Sequence, residues 1–256
     1  MNRLEKLFID KPSGVLNIYF TAGFPHLEDT LPLLQSLQDA GADIAEVGIP
    51  FSDPVADGET IQIANNRALE NGMSVAKLFD QLQNMRDTIH IPVILMGDIN
   101  PIIQYGVKEF CEACQSVGVD GLILPNLPLA EYLQDFKEIF DLHGLLNIFL
   151  ITPQTTPDRI HQIDQNSRGF IYMVSSSSTT GSTSGISKEM QAYFERINGM
   201  ELQNPRLIGF GIKDKETFNA ASSYASGAII GSAFIRAIDN SSPVESSLHF
   251  IKSVLA

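Results

Sequence analysis

Short apolar runs alternate with longer amphipathic stretches along the whole chain. Eight runs read as strands: 15–20 (VLNIYF), 44–49 (IAEVGI), 92–97 (PVILMG), 121–125 (GLILP), 146–151 (LNIFLI), 169–174 (GFIYMV), 206–210 (RLIGF) and 227–231 (GAIIG). Most are apolar at nearly every position, the pattern of parallel strands buried on both faces. Helical periodicity fills the gaps. Tyr132, Leu133, Phe136, Ile139 and Phe140 make one stripe, stopped by Gly144, and Ile186, Met190, Tyr193, Phe194 and Ile197 make another. Pro32 falls in the opening turn of its helix, where proline is tolerated. The first ten residues form a short amphipathic segment with Leu4, Leu7 and Phe8 on one side. Eight β/α repeats without a linker-like composition shift predict one α/β domain over 1–256. It is a single (β/α)8 TIM barrel with a short N-terminal helix, and a doubly wound open sheet is the alternative.

Residues 43–58 break the pattern in an informative way. The second strand carries a carboxylate in its middle, Glu46, and runs into a Pro-punctuated loop holding two more, Asp53 and Asp57. Alternation puts Ala45, Val47 and Ile49 on one face and Ile44, Glu46 and Gly48 on the other. If the first face packs under helices, Glu46 points into the barrel. A buried carboxylate has a pKa that rises toward neutrality, as a general acid/base requires. A Glu that only bridges neighbouring strands is the plainer reading. The loop favours chemistry, because ligands in α/β folds sit beyond the strand C-termini.

Two late segments suit an anion. Gly-Phe-Gly-Ile (209–212) ends the seventh strand, and Gly-Ser-Ala-Phe-Ile (231–235) ends the eighth and opens a helix. Glycines let backbone N–H groups approach an oxyanion, and a helix N-terminus adds its dipole. Lys213 and Arg236 lie close by and read as solvated helix-end charges. The Ser/Thr/Gly stretch 175–185 lies between the sixth strand and the next helix. It reads as a mobile lid with freedom at Gly181 and Gly185, and otherwise as a flexible linker.

Composition narrows the classes. Hydrophobic residues make up 44% of the 256, enough for a sizeable core. Thirty acids against seventeen Lys and Arg give a net charge of −13, which disfavours nucleic acid or an anionic membrane as partner. With no signal peptide and no apolar run long enough to span a membrane, the expected location is the cytoplasm. Cys111 and Cys114 form a C-x-x-C pair with no second pair to complete a metal site, so they read as small core residues and no metal is expected.

Several segments together resemble the tryptophan synthase α-chain family: TAGFP (21–25), AGADIAEVGIPFSDPVADGETIQIAN (40–65), LMGDINPIIQYG (95–106), PNLPLAE (125–131), TPQTTP (152–157), GFGI and IGSA. The resemblance implies a lyase that splits indole-3-glycerol phosphate into indole and glyceraldehyde 3-phosphate. By it, Glu46 is the general acid/base and Asp57 accepts a hydrogen bond from the indole N–H. Tyr19, Leu95 and Phe210 match substrate-binding positions around the indole, Tyr172 matches a substrate-binding aromatic beside the catalytic Glu, and Gly181, Gly211, Gly231 and Ser232 match phosphate-binding positions. It also implies a β chain that carries pyridoxal phosphate and receives the indole in an α₂β₂ assembly. Pro50 and Asp53 would lie near that contact, and this chain would carry no cofactor. A free-standing lyase and a catalytically idle allosteric subunit are the alternatives. The chain departs from the family pattern at Asp98 (usually Tyr), Asn126 (usually Asp), and Ser176 and Ser178 in the lid (usually Arg and Gly).

Overall fold

The computed structural model describes residues 1–54, 57–175, 187–209 and 211–256. The apolar runs become strands β1 (Val15–Thr21), β2 (Ile44–Gly48), β3 (Val93–Met96), β4 (Gly121–Ile123), β5 (Leu146–Ile148), β6 (Leu150–Ile151), β7 (Ile171–Val174), β8 (Arg206–Gly209) and β9 (Gly227–Ile230). All pairings are parallel, in the order β5-β4-β3-β2-β1-β9-β8-β7-β6. The two ends of that order, β5 and β6, adjoin in sequence and are separated only by Phe149. The sheet therefore curls into a ring, and the Phe149 carbonyl accepts from the Tyr172 amide at 2.9 Å across the seam. The run 146–151 was expected as one strand. It is divided because its first half pairs with β4 and its second half with β7, so one run serves both sides of the closure. The result is a (β/α)8 barrel.

Alternation sorts the strand side chains. Val15, Ile44, Ile94, Ile123, Leu146, Ile148, Tyr172, Leu207 and Ile229 pack with one another inside the ring. Ala45, Val47, Val93, Leu95, Leu122 and Ile208 belong to the cluster beneath the helices. Both populations are buried, which is why the sequence runs are apolar throughout.

The N-terminal helix (Arg3–Asp10) closes the barrel floor. Asn2 and Glu5 form its capping box. Its fully buried Leu4 joins the inner cluster, and Phe8 lies against Phe170 with centroids 6.0 Å apart. Beside it Asp120, only 2% exposed, meets Arg3 at 3.0 Å and Arg86 at 2.6 Å and accepts from the Val93 amide at 2.9 Å.

One helical stripe differs from expectation. Between Leu129–Glu131 and Lys137–Leu142 the chain makes a wider π-type turn over Tyr132–Phe136. The extra residue per turn rotates Leu133 outward, to 41% exposure, while Tyr132 and Phe140 stay buried. Cys111 and Cys114 are buried on the helix Val107–Val117, and burial pushes the Cys111 thiol up to about 12. Among the described residues no group of His, Cys, Asp or Glu could hold a metal, and no helix is long and apolar enough to cross a membrane.

Candidate active site

Glu46 occupies the middle of β2, with Tyr19 of β1 and Ile94 of β3 beside it in register. It is fully buried on the face opposite Ala45 and Val47, inside the ring. Its Oε2 accepts from Asn17 Nδ2 at 2.6 Å, and among the described residues its Oε1 has no hydrogen-bond partner. Burial raises its pKa from 4.5 to about 8; the Asn17 bond opposes the shift and the charge of Asp57 adds to it. At neutral pH the carboxyl holds a proton it can give up.

Asp57 ends the loop after β2 and precedes the helix Glu59–Glu70. That helix fixes it: Asn65 Nδ2 donates to Asp57 Oδ2 at 3.1 Å, and Gln62 Nε2 donates to its backbone carbonyl at 2.7 Å. Burial raises the Asp57 pKa and the Asn65 bond lowers it. Asn65 is itself 2% exposed.

Both acids line a cavity of about 360 Å³ at the C-terminal ends of the strands, within the range of small-molecule sites. Tyr19, Tyr172, Met96, Leu150 and Ile229 supply its aromatic and apolar walls. Burial holds both phenols neutral, with pKa values above the ordinary range. Two glycines make room for these rings. A Cβ at Gly48 would overlap the Tyr19 ring, and one at Gly209 would overlap the Tyr172 ring.

Gly211, Gly231 and Ser232 also line this cavity. Gly211 has φ +80°, a conformation that favours glycine. Gly231 and Ser232 open the helix Ser232–Ile238, whose first-turn N–H groups lack intrahelical acceptors. Lys213, Arg236, Thr60 and Glu59 line it as well. Arg236 Nη1 donates to Thr60 Oγ1 at 3.1 Å, spanning from the Ser232 helix to the helix that follows Asp57. Neither cation is recognisable from sequence as a cavity residue, because a basic residue near a helix end gives no sign of what it faces.

The structure thus brings Glu46, Asp57, Tyr19, Tyr172, Gly211, Gly231 and Ser232 to one cavity. Leu95 does not join them. It is fully buried in the cluster beneath the helices, one residue out of phase with the cavity, and Met96 lines the wall instead. The strand is apolar on both faces, so its sequence carries no sign of which side faces inward. Phe210, Gly181 and the lid positions Ser176 and Ser178 lie outside the described residues. Pro50 is buried, and Asp53 is exposed and accepts from Ser52 Oγ at 2.6 Å.

Asp98 and Asn126 line a smaller space of about 90 Å³ that shares Tyr19, Asp57, Met96 and Pro125 with the main cavity. Asp98 caps the helix Ile99–Tyr105 through the Asn100 amide at 2.8 Å. Asn126 donates to Asp98 at 2.8 Å and accepts from the Ile99 amide at 3.0 Å, so the two departures form one linked pair.

Comparison with known proteins points one way. Residues 9–252 match the family model described as tryptophan synthase alpha chain. The chain is similar to the tryptophan synthase alpha chain of Christiangramia forsetii, 53% identical over 256 residues and covering 100% of this chain and 99% of the relative. That of Parabacteroides distasonis is 55% identical over 236 residues, covering 92% of each. Among solved structures, tryptophan synthase subunit alpha from Legionella pneumophila superposes with a TM-score of 0.90 at 34% identity, covering 99% and 97% of the two chains.

Proposed function

The chain belongs to the tryptophan synthase α-chain family, whose members cleave indole-3-glycerol phosphate to indole and glyceraldehyde 3-phosphate, and we propose that Glu46 and Asp57 carry this cleavage. The reaction is a retro-aldol cleavage. Indole C3 must gain a proton, the adjacent side-chain hydroxyl must lose one, and positive charge at the ring nitrogen must be stabilised. Glu46 begins protonated and gives its proton to C3, while Asp57 accepts the hydrogen bond of the ring N–H. The resulting carboxylate then takes the hydroxyl proton. The C–C bond breaks, its electron pair returns to the ring, and a carbonyl forms. Glu46 ends as it began, and nothing is oxidised or reduced.

One observation carries this reading: a fully buried carboxyl at the cavity wall, with a pKa near 8 and one oxygen unpartnered, beside a second acid held by an amide. The indole ring lies between Tyr19 and Tyr172, with Met96 in place of Leu95. The phosphate rests on Gly181, Gly211, Gly231 and Ser232, joined by Lys213 and Arg236, and Phe210 belongs to the indole wall. The whole chain acts as one catalytic domain in the cytoplasm.

Chains of this family work with a β subunit. We place this one in an α₂β₂ assembly, with pyridoxal phosphate on the β chain and the contact near Pro50 and Asp53. This chain's own chemistry is acid–base and needs no cofactor. The test is indole release by the purified chain, alone and with β chain. Glu46→Gln and Asp57→Asn should each lower the rate by about 10²-fold or more with the fold intact. Near-normal release by either variant at saturating substrate removes the role given to that residue.

A further inference from the structure

Asn17 lies on the ring-lining face of β1, two positions before Tyr19, in a strand that is buried throughout. Its Nδ2 donates to Glu46 Oε2 at 2.6 Å, and both side chains are fully buried. Among the described residues, neither Asn17 Oδ1 nor Glu46 Oε1 has a hydrogen-bond partner. A buried polar group in this position is costly unless it serves its neighbour.

We propose that Asn17 is a positioning residue for the lyase reaction. Its amide occupies Oε2, so Oε1 is the oxygen that carries the proton, and it stabilises the carboxylate formed when that proton leaves. The inference rests on Glu46 being the proton carrier.

The surroundings of Glu46 show why such a residue is needed. Tyr19 faces it from β1 and Tyr172 from β7, both as neutral phenols, and Asp57 faces it from the loop after β2. β3 contributes apolar Ile94 in register. Burial and the Asp57 charge both hold the proton on Glu46, and the Asn17 hydrogen bond is the contact that acts the other way. Without it the acid would be too weak to protonate carbon readily. The bond also limits carboxyl rotation, because Asn17 is anchored on a strand paired on both sides, to Ile44 and Ile229. An acid delivering a proton to one ring carbon needs that fixed aim.

The test is Asn17→Leu, which keeps the branched shape and removes the donor. Glu46 is titrated directly by the infrared band of its protonated carboxyl, identified as the band missing from Glu46→Gln. Charge-assisted hydrogen bonds of this kind correspond to about one pH unit. The midpoint should therefore rise from about 8 by roughly that much. The alkaline limb of kcat should move with it, the plateau should fall about tenfold, and KM should change less than about twofold. Asn17→Ala, read in the same two ways, serves if the leucine variant does not fold. An unmoved midpoint and limb in a folded variant overturn the proposal, as does a loss equal at every pH. If Glu46→Gln itself cleaves normally, the assignment of Glu46 fails and this inference with it. If Glu46→Gln is inactive while Asn17→Leu titrates like the parent, only the role of Asn17 falls.

Discussion

The barrel buries a carboxylate at each end, and the two are partnered differently. At the floor, Asp120 meets two guanidinium groups and a backbone amide. At the mouth, Glu46 meets one side-chain amide and, among the described residues, its other oxygen has no partner, although it is the more deeply buried of the two. A carboxylate that meets cations and N–H donors from several elements ties those elements together. One left with a single neutral donor keeps its proton into the neutral range and can exchange it. Donor number and charge, more than burial, separate the acid that ties elements together from the one proposed to carry the chemistry.

Amide substitution at the two ends should show this contrast most sharply. Glu46→Gln should cost about 10²-fold or more in indole release with no loss of folding stability. Asp120→Asn should do the reverse. It leaves Arg86 without its charge partner and should lower unfolding stability by roughly 3 kcal/mol, read by denaturant titration, while folded enzyme keeps near-normal kcat. Equal effects on stability at both ends would break the comparison.

The next effect is on pH dependence. The folded pKa of Glu46, about 8, lies above its ordinary value of 4.5, so the folded state binds more protons between those values. The associated stability is present below pH 4.5 and is lost as pH rises through about 8. Thermal unfolding of Glu46→Gln relative to the parent should therefore improve progressively from pH 5 to pH 9. A constant difference would show that Glu46 does not titrate in this window. Leu95→Ala against Met96→Ala comes next. The first should cost about 2–5 kcal/mol of stability with little change in folded-enzyme kinetics, and the second should act mainly on KM. The smallest effect belongs to Lys213→Ala and Arg236→Ala. Each should raise KM for the phosphorylated substrate by about three- to tenfold at low salt, less at high salt, with kcat nearly unchanged.

The sequence made the architecture plain because eight apolar runs in a parallel barrel need no alternation to be recognised. Glu46 stood out for the same reason, as a charge within such a run. The same uniformity hid other features. Leu95 and Met96 are equally apolar, so nothing indicated which faced the cavity. Asn17 was the comparable polar interruption in VLNIYF, on the same face as Tyr19. An amide without charge drew less notice than a carboxylate, although the pair meets only once β1 and β2 are in register. The bond from Arg236 to Thr60 joins residues 176 positions apart, which no local pattern encodes. The division of 146–151 follows from ring closure, a property of the whole sheet.

Gly48 and Gly209 carry a last consequence. Since two phenols stand where methyl groups would otherwise project, the aperture for an aromatic guest is gauged by main chain and not by replaceable wall residues. Adding one carbon at either glycine would force the facing tyrosine to move. Accommodating a bulkier heterocycle would demand re-spacing of the staves themselves, which makes these two smallest residues the tightest custodians of what the enzyme admits.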